Sequence, residues 1–136
     1  DIEKMQCIMD AMQQSIGTMQ TSIMTYNRCL MERQRNEVAV RMSLDKIKQD
    51  METMKYRILA LQEVFEELLG KPPKVWVTFD NLKTSFLSLQ SGFNLMYEGN
   101  SCHQFNSLGI KIGIDMIQDY FETIKYDVAR FQRTCV

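Results

Sequence analysis

Residues 2–30 read IEKMQCIMDAMQQSIGTMQTSIMTYNRCL, and apolar side chains recur through this stretch at alternating spacings of three and four residues. Because an α-helix turns once every 3.6 residues or so, this spacing places the apolar positions on one side of a helix. The stretch therefore predicts an amphipathic helix over residues 2–32, whose apolar stripe has to be buried. The stripe consists of Ile2, Met5, Met9, Met12, Ile16, Met19, Ile23, Tyr26 and Leu30.

The same spacing occurs three more times along the chain. It predicts helices over residues 37–69, 79–98 and 104–134, which makes four amphipathic helices in 136 residues. Four apolar stripes can bury each other in one core, and short connections make successive helices antiparallel. The predicted fold is therefore an all-α, up-down-up-down four-helix bundle that occupies residues 1–136 as a single domain.

The sequence marks the connection after the second helix clearly. Gly70, Pro72 and Pro73 end that helix, because proline lacks a backbone donor and glycine suits the position after a helix. Residues 74–79 hold a short run of β-favouring side chains. We predict that they form an extended connector that packs Trp76 on the bundle.

The first connection is ambiguous. Residues 31–37 are polar but contain neither glycine nor proline. In one interpretation they form a hairpin turn, which gives a compact monomer. In the other, residues 2–69 form one helix roughly 100 Å long, which needs a second chain to cover its stripe. The hairpin is the favoured interpretation.

The four cysteines favour disulfide bonds, since an even number in a small domain is typical of secreted proteins. Cys7 and Cys29 are roughly 33 Å apart on one helix, and Cys102 and Cys135 flank another, whereas a disulfide joins Cα atoms within about 7 Å. Antiparallel first and last helices predict the bonds Cys7–Cys135 and Cys29–Cys102, and hence an oxidising compartment. The alternative is four buried free thiols.

Charge and hydropathy exclude two classes of partner. The formal net charge is −1 at pH 7, whereas proteins that bind nucleic acid in general carry a basic excess. No apolar run approaches the roughly 20 residues that a membrane span needs. Residues 1–4 also lack the features of a signal peptide, and a removed signal peptide is the expectation for a secreted chain.

The residues that carry chemistry do not form a recognisable site. His103 is the single histidine of the chain and has Cys102 beside it, but adjacent positions on a helix start point to different faces. The cysteine spacing does not fit a zinc site. Gly109 and Gly113 suggest close packing of the last helix against a bulky neighbour such as Trp76. We expect no enzymatic activity, no cofactor and no metal.

Two features are candidates for binding a partner. Four arginines gather near the proposed first turn, and a cationic tip of this kind can contact an acidic protein. These are Arg28, Arg33, Arg35 and Arg41. The methionines of the first helix pack in the core in one interpretation and line a groove for a partner or an apolar ligand in the other.

The sequence therefore leads to one functional hypothesis and two alternatives. The hypothesis is a secreted, monomeric, non-enzymatic protein that binds another protein, as an extracellular signal or a host-directed effector or immunomodulator. One alternative is an extracellular carrier of a small apolar ligand in the bundle core, lined by Phe79, Phe86, Phe93, Phe121 and Phe131. The other is an intracellular coiled-coil interaction segment.

Overall fold

The computed structural model describes residues 2–34, 36–70, 73–99 and 103–134, except for the side chains of residues 103–106 and 131–134. Within these residues the chain forms four α-helices and no β-strand. The predicted all-α four-helix bundle is confirmed. The helices are α1 (Ile2–Met31), α2 (Glu37–Leu68), α3 (Pro73–Tyr97) and α4 (His103–Thr134).

The core consists of the apolar stripes that the sequence predicts. In α1 the stripe is buried from Met5 through Tyr26, and in α3 it is buried from Phe79 through Met96. The stripes of α2 and α4 are buried in the same way. Side chains on one face of each helix therefore share a single apolar core, which is the main source of stability for such a bundle.

Contacts between helices show that sequential neighbours are antiparallel. Ser22 of α1 contacts Asp50 of α2, and Cys29, later in α1, lies beside Ser43, earlier in α2. Two contacts along the second hairpin show that α3 and α4 are also antiparallel. Lys74, at the start of α3, contacts Asp127, late in α4. Leu89, later in α3, lies beside Gly113, earlier in α4. The up-down-up-down topology follows from these pairs.

The first and last helices, α1 and α4, also contact each other. Gln13 and Gln118 exchange hydrogen bonds through their side-chain amides, at 2.9 and 3.2 Å. Aromatic rings lie in the seam between α2 and α3. The rings of Phe65 and Phe79 lie edge to face with their centroids 5.6 Å apart, and Trp76 stands perpendicular to Phe79 at 5.8 Å.

A tight turn separates α1 from α2. α1 ends at Met31, and Asn36 caps the start of α2 by accepting hydrogen bonds from the backbone N–H groups of Val38 and Ala39. A capping side chain satisfies donors that the first turn of a helix leaves free. The hairpin interpretation is therefore confirmed, and the single helix over residues 2–69 is wrong.

The predicted extended connector before the third helix is wrong. α3 begins at Pro73 rather than at residue 79, because proline at the first helical position has its dihedral φ preset for a helix and needs no donor there. Val75 is buried one turn before Phe79 and extends the apolar stripe. Trp76 does pack on the bundle, and its indole N–H donates to the carbonyl of Gly70 at 3.0 Å.

The predicted disulfides are not supported. Cys7 and Cys29 are free thiols in the structure, and their predicted partners, Cys102 and Cys135, lie outside the described residues. Cys7 is exposed because it follows Met5 by two residues, or about 200° around the helix. The predicted pairing followed from the proximity of the helix ends, but a disulfide also depends on which face of α1 carries each cysteine.

Candidate functional site

The cationic tip that the sequence predicts lies at the turn between α1 and α2. Arg28 is in the last turn of α1, and Arg33 is in the turn itself. Both are exposed and make no ion pair with any residue that the structure describes. Arg35 lies outside the described residues. Two of the four predicted arginines are thus available to a partner.

Arg41, the fourth predicted arginine, is exposed but already has partners within the chain. Its guanidinium lies 4.2 Å from the centre of the Tyr97 ring and 3.7 Å from the carboxylate of Asp45. The Tyr97 hydroxyl donates to the same carboxylate at 2.9 Å. Arg41 therefore links α2 to the end of α3, and its charge is already satisfied.

Several exposed apolar side chains lie at the same end of the bundle as the two free arginines, and the sequence analysis missed them. Met31 is 79% exposed at the end of α1, and Val38 is 68% exposed at the start of α2. Met24 and Met42 are also exposed, one on each helix near the same end. We call Met24, Arg28, Met31, Arg33, Val38 and Met42 the α1–α2 tip. Their positions between the stripe residues of each helix are the signal that could have found them.

The methionines that the sequence singled out belong to the core. Met5, Met9, Met12 and Met19 are all buried in the contact of α1 with the other helices. Of the two interpretations of this series, the structure supports core packing. The exposed methionines of the tip occupy other faces of α1 and α2.

A second candidate is an apolar groove on the outside of α3 and α4, with a volume of about 350 Å³. Small residues let the two helices lie close together, and a methyl group added at Gly113 would stand 3.0 Å from Leu89 of α3. The bulky neighbour of this glycine is therefore Leu89 and not Trp76. We call Ser88, Gly92, Gly109, Ile112, Gly113 and Met116 the α3–α4 groove.

The phenylalanines of the predicted apolar cavity are core residues. Phe79, Phe86, Phe93 and Phe121 are buried in the cluster that fills the bundle. The side chain of Phe131 lies outside the described residues. Space for an apolar ligand is found on the surface instead, in the α3–α4 groove.

A polar cleft of about 210 Å³ lies between α1 and α2. The carboxylate of Asp50 forms part of its wall and is buried, with Ser22 and Lys46 as its hydrogen-bond donors. Arg57 stands at its exposed side. The donors on Asp50 come from this chain, so the cleft already satisfies its buried charge.

The described residues hold no group of three or more histidine, cysteine, aspartate or glutamate side chains placed to bind a metal ion. The side chain of His103 lies outside the described part of the chain. Within that part, no helix has both the length and the apolar character of a membrane span.

Fold and contacts define the molecule as an up-down-up-down four-helix bundle. Comparison with protein-family models finds no match, and no significant match is found among curated proteins or solved structures. The tip, the groove and the cleft are therefore the surfaces on which a functional proposal rests.

Proposed function

We propose that this chain is a secreted, non-enzymatic protein that acts by binding another protein, and that the α1–α2 tip is the contact surface. The observation that carries the proposal is that four exposed apolar side chains and two exposed arginines lie at one end of the bundle. The partner is an extracellular or host protein, which makes this chain a signal, an effector or an immunomodulator.

The composition of the tip supports this proposal. Methionine and arginine are enriched in protein interfaces, and clustered exposed apolar residues mark interaction sites. Methionine side chains adapt their shape to a partner, while arginine binds carboxylates through two parallel hydrogen bonds. The partner surface is therefore expected to combine an apolar patch with acidic side chains.

The extracellular part of the proposal rests on the cysteines. Four cysteines in a chain of 136 residues, without zinc-binding spacing, favour an oxidising compartment. The antiparallel arrangement of α1 and α4 brings the end of α1, with Cys29, to the same end of the bundle as the start of α4. Alkylation of the unreduced protein from the medium of secreting cells tests this part, and four reactive thiols there would contradict it.

A second candidate function is the transport of a small apolar molecule in the α3–α4 groove. The groove's volume of about 350 Å³ lies within the range of about 300 to 1,000 Å³ that is usual for ligand sites. Native mass spectrometry of the purified protein would reveal a bound lipid or similar compound under this alternative.

Binding to the tip is tested with variants that change its charge or its apolar surface. Arg28→Glu with Arg33→Glu reverses the charge, and Met31→Ser removes apolar surface, while Lys55→Glu and Tyr56→Ser make matched changes on the exposed face of α2 away from the tip. Each protein is coupled to a sensor and exposed to extracellular fluid, and bound proteins are identified and titrated. We expect one saturable partner whose binding is lost in the tip variants and kept in the controls. Saturable binding that survives all the tip changes would refute the assignment.

A further inference from the structure

We infer that the polar cleft between α1 and α2 binds a small aliphatic carboxylate that carries a hydroxyl group at its other end. In this arrangement the ligand carboxylate contacts the guanidinium of Arg57, and the ligand hydroxyl donates to the carboxylate of Asp50. The site is separate from the α1–α2 tip, and it goes beyond the proposed function. Four properties of the cleft support it.

The first property is a set of polar side chains that lack partners. Ser15 lines the cleft and is only 7% exposed, yet its hydroxyl forms no hydrogen bond with any residue that the structure describes. Thr53 and Arg57 line the same cleft, and their side chains likewise have no hydrogen bond or ion pair with the described part of the chain. Thr18 differs, because its hydroxyl donates to the backbone carbonyl of Gln14 at 2.9 Å. Buried polar groups normally have a partner, so the Ser15 hydroxyl is suited to a ligand.

The second property is the charge of the walls. The buried carboxylate of Asp50 is paired with Lys46, so these two charges offset each other. Arg57 is exposed on α2 and adds a positive charge that no described residue neutralises. The walls therefore favour a ligand with a single negative charge. A guanidinium binds a carboxylate especially well, because the two groups form two parallel hydrogen bonds.

The third property is an acceptor with remaining capacity. One oxygen of Asp50 accepts a hydrogen bond from Ser22, and the other accepts from Lys46. A carboxylate has about four acceptor positions, so Asp50 can accept a further hydrogen bond from within the cleft. Because Lys46 already offsets the charge of Asp50, a neutral hydroxyl fits this position better than a second ammonium group.

The fourth property is size. Asp50 and Arg57 are seven residues apart on α2, which separates their Cα atoms by about 10 Å along the helix axis. The cleft has a volume of about 210 Å³, roughly seven times the volume of about 30 Å³ that one water molecule occupies in the liquid. A short aliphatic chain with a polar group at each end, such as γ-hydroxybutyrate, has about this size and can contact both residues.

Titration of the full chain with γ-hydroxybutyrate at constant ionic strength tests the proposal, with the nuclear magnetic resonance signals of the backbone amides as the readout. We expect saturable binding at millimolar concentrations, because a ligand of so few atoms makes few contacts. Butyrate lacks the hydroxyl and butanediol lacks the carboxylate. Each should bind about 10-fold more weakly, since each loses a hydrogen bond to a charged group.

Two variants locate the site. Arg57→Met removes the cation and should weaken binding by about 10-fold, whereas Ser15→Ala removes a neutral hydroxyl and should weaken it by about threefold. Lys55→Met is the matched control for charge, since Lys55 is exposed on another face of α2. Ser107→Ala is the control for a buried hydroxyl, since Ser107 is buried in α4. Neither control should change binding, and circular dichroism checks that the helices persist in every variant.

Three outcomes would overturn the inference. A titration that does not saturate at tens of millimolar shows that the cleft does not bind this class of ligand. Binding that withstands both Arg57→Met and Ser15→Ala places the ligand elsewhere on the molecule. Tighter binding of γ-aminobutyrate than of γ-hydroxybutyrate shows that Asp50 takes a cation, and it refutes the choice of a hydroxycarboxylate.

Discussion

The hydroxyl of Ser22 in α1 donates a hydrogen bond to the buried carboxylate of Asp50 in α2. Lys46, one turn before Asp50, supplies a second donor from the exposed side. This small polar group lies within the contact between α1 and α2. The hydrogen bond between Ser22 and Asp50 forms only when α1 and α2 are aligned in one register along their axes. It therefore helps to fix the register of the first hairpin.

Replacing Ser22 by alanine is expected to lower the free energy of unfolding by about 1 to 3 kcal/mol, because one oxygen of a buried carboxylate loses its donor. Chemical denaturation monitored by circular dichroism measures the change. Ser15→Ala is the matched control, since Ser15 is also buried, two turns earlier on the same side of α1. It should cost clearly less, and equal losses in both variants would show that the hydrogen bond to Asp50 is not the cause.

Gly113→Ala should stabilise the protein less than Gly17→Ala. Alanine in place of glycine inside a helix gains up to about 1 kcal/mol, and, apart from the neighbouring backbone of α1, no described atom lies within 4 Å of a methyl group added at Gly17. At Gly113 the added methyl group would press on Leu89 at 3.0 Å, so part of the gain is lost. Thermal unfolding of both variants at low protein concentration checks this order. Equal gains would mean that α3 and α4 are not held in close contact at this point.

The core was predictable from sequence because burial follows periodicity. The apolar residues from Met5 to Tyr26 and from Phe79 to Met96 recur at helical spacing, so one face of each helix carries them all and is buried. The start of α3 was not predictable in the same way. Pro72 and Pro73 signal both the end of one helix and the start of the next, and Val75 decides the matter only once its burial is known.

The surfaces were harder to predict than the core. The sequence does not distinguish Arg41 from Arg28 and Arg33. Only the folded position of Tyr97, more than 50 residues later in the chain, shows that the Arg41 guanidinium contacts an aromatic ring. The exposed methionines of the tip were obscured by the buried ones. Pairing of cysteines likewise depends on the face of the helix as well as its end, which the free and exposed Cys7 illustrates.

Arg41→Ala should lower the free energy of unfolding by about 0.5 to 1 kcal/mol, the usual contribution of a cation over an exposed aromatic ring. Arg33→Ala should leave stability unchanged, because Arg33 makes no ion pair with the described residues. Denaturation curves of the two variants give the comparison. The effect of Arg41→Ala should vanish when Tyr97 is already leucine, and an undiminished loss in that background would contradict the ring contact.

The carboxylate of Asp127 in α4 is buried beside the start of α3. One of its oxygens lies 3.3 Å from the ammonium of Lys74. Among the residues that the structure describes, none donates a hydrogen bond to its second oxygen. Lys74→Met is therefore expected to destabilise the bundle by about 1 to 3 kcal/mol, because it leaves a buried charge without its cation. The mostly exposed ammonium of Lys74 keeps this loss below that of a fully buried pair.

The double variant Lys74→Met with Asp127→Leu should recover most of the stability that Lys74→Met loses. Replacing both members of a buried pair by apolar groups removes the cost of taking the carboxylate out of water, and such exchanges are often neutral or favourable. Urea denaturation of the two single variants, the double variant and the unmodified chain completes the cycle. If the double variant is as unstable as the sum of the single ones, the two side chains do not interact, and α3 and α4 are held together at this end by apolar contacts alone.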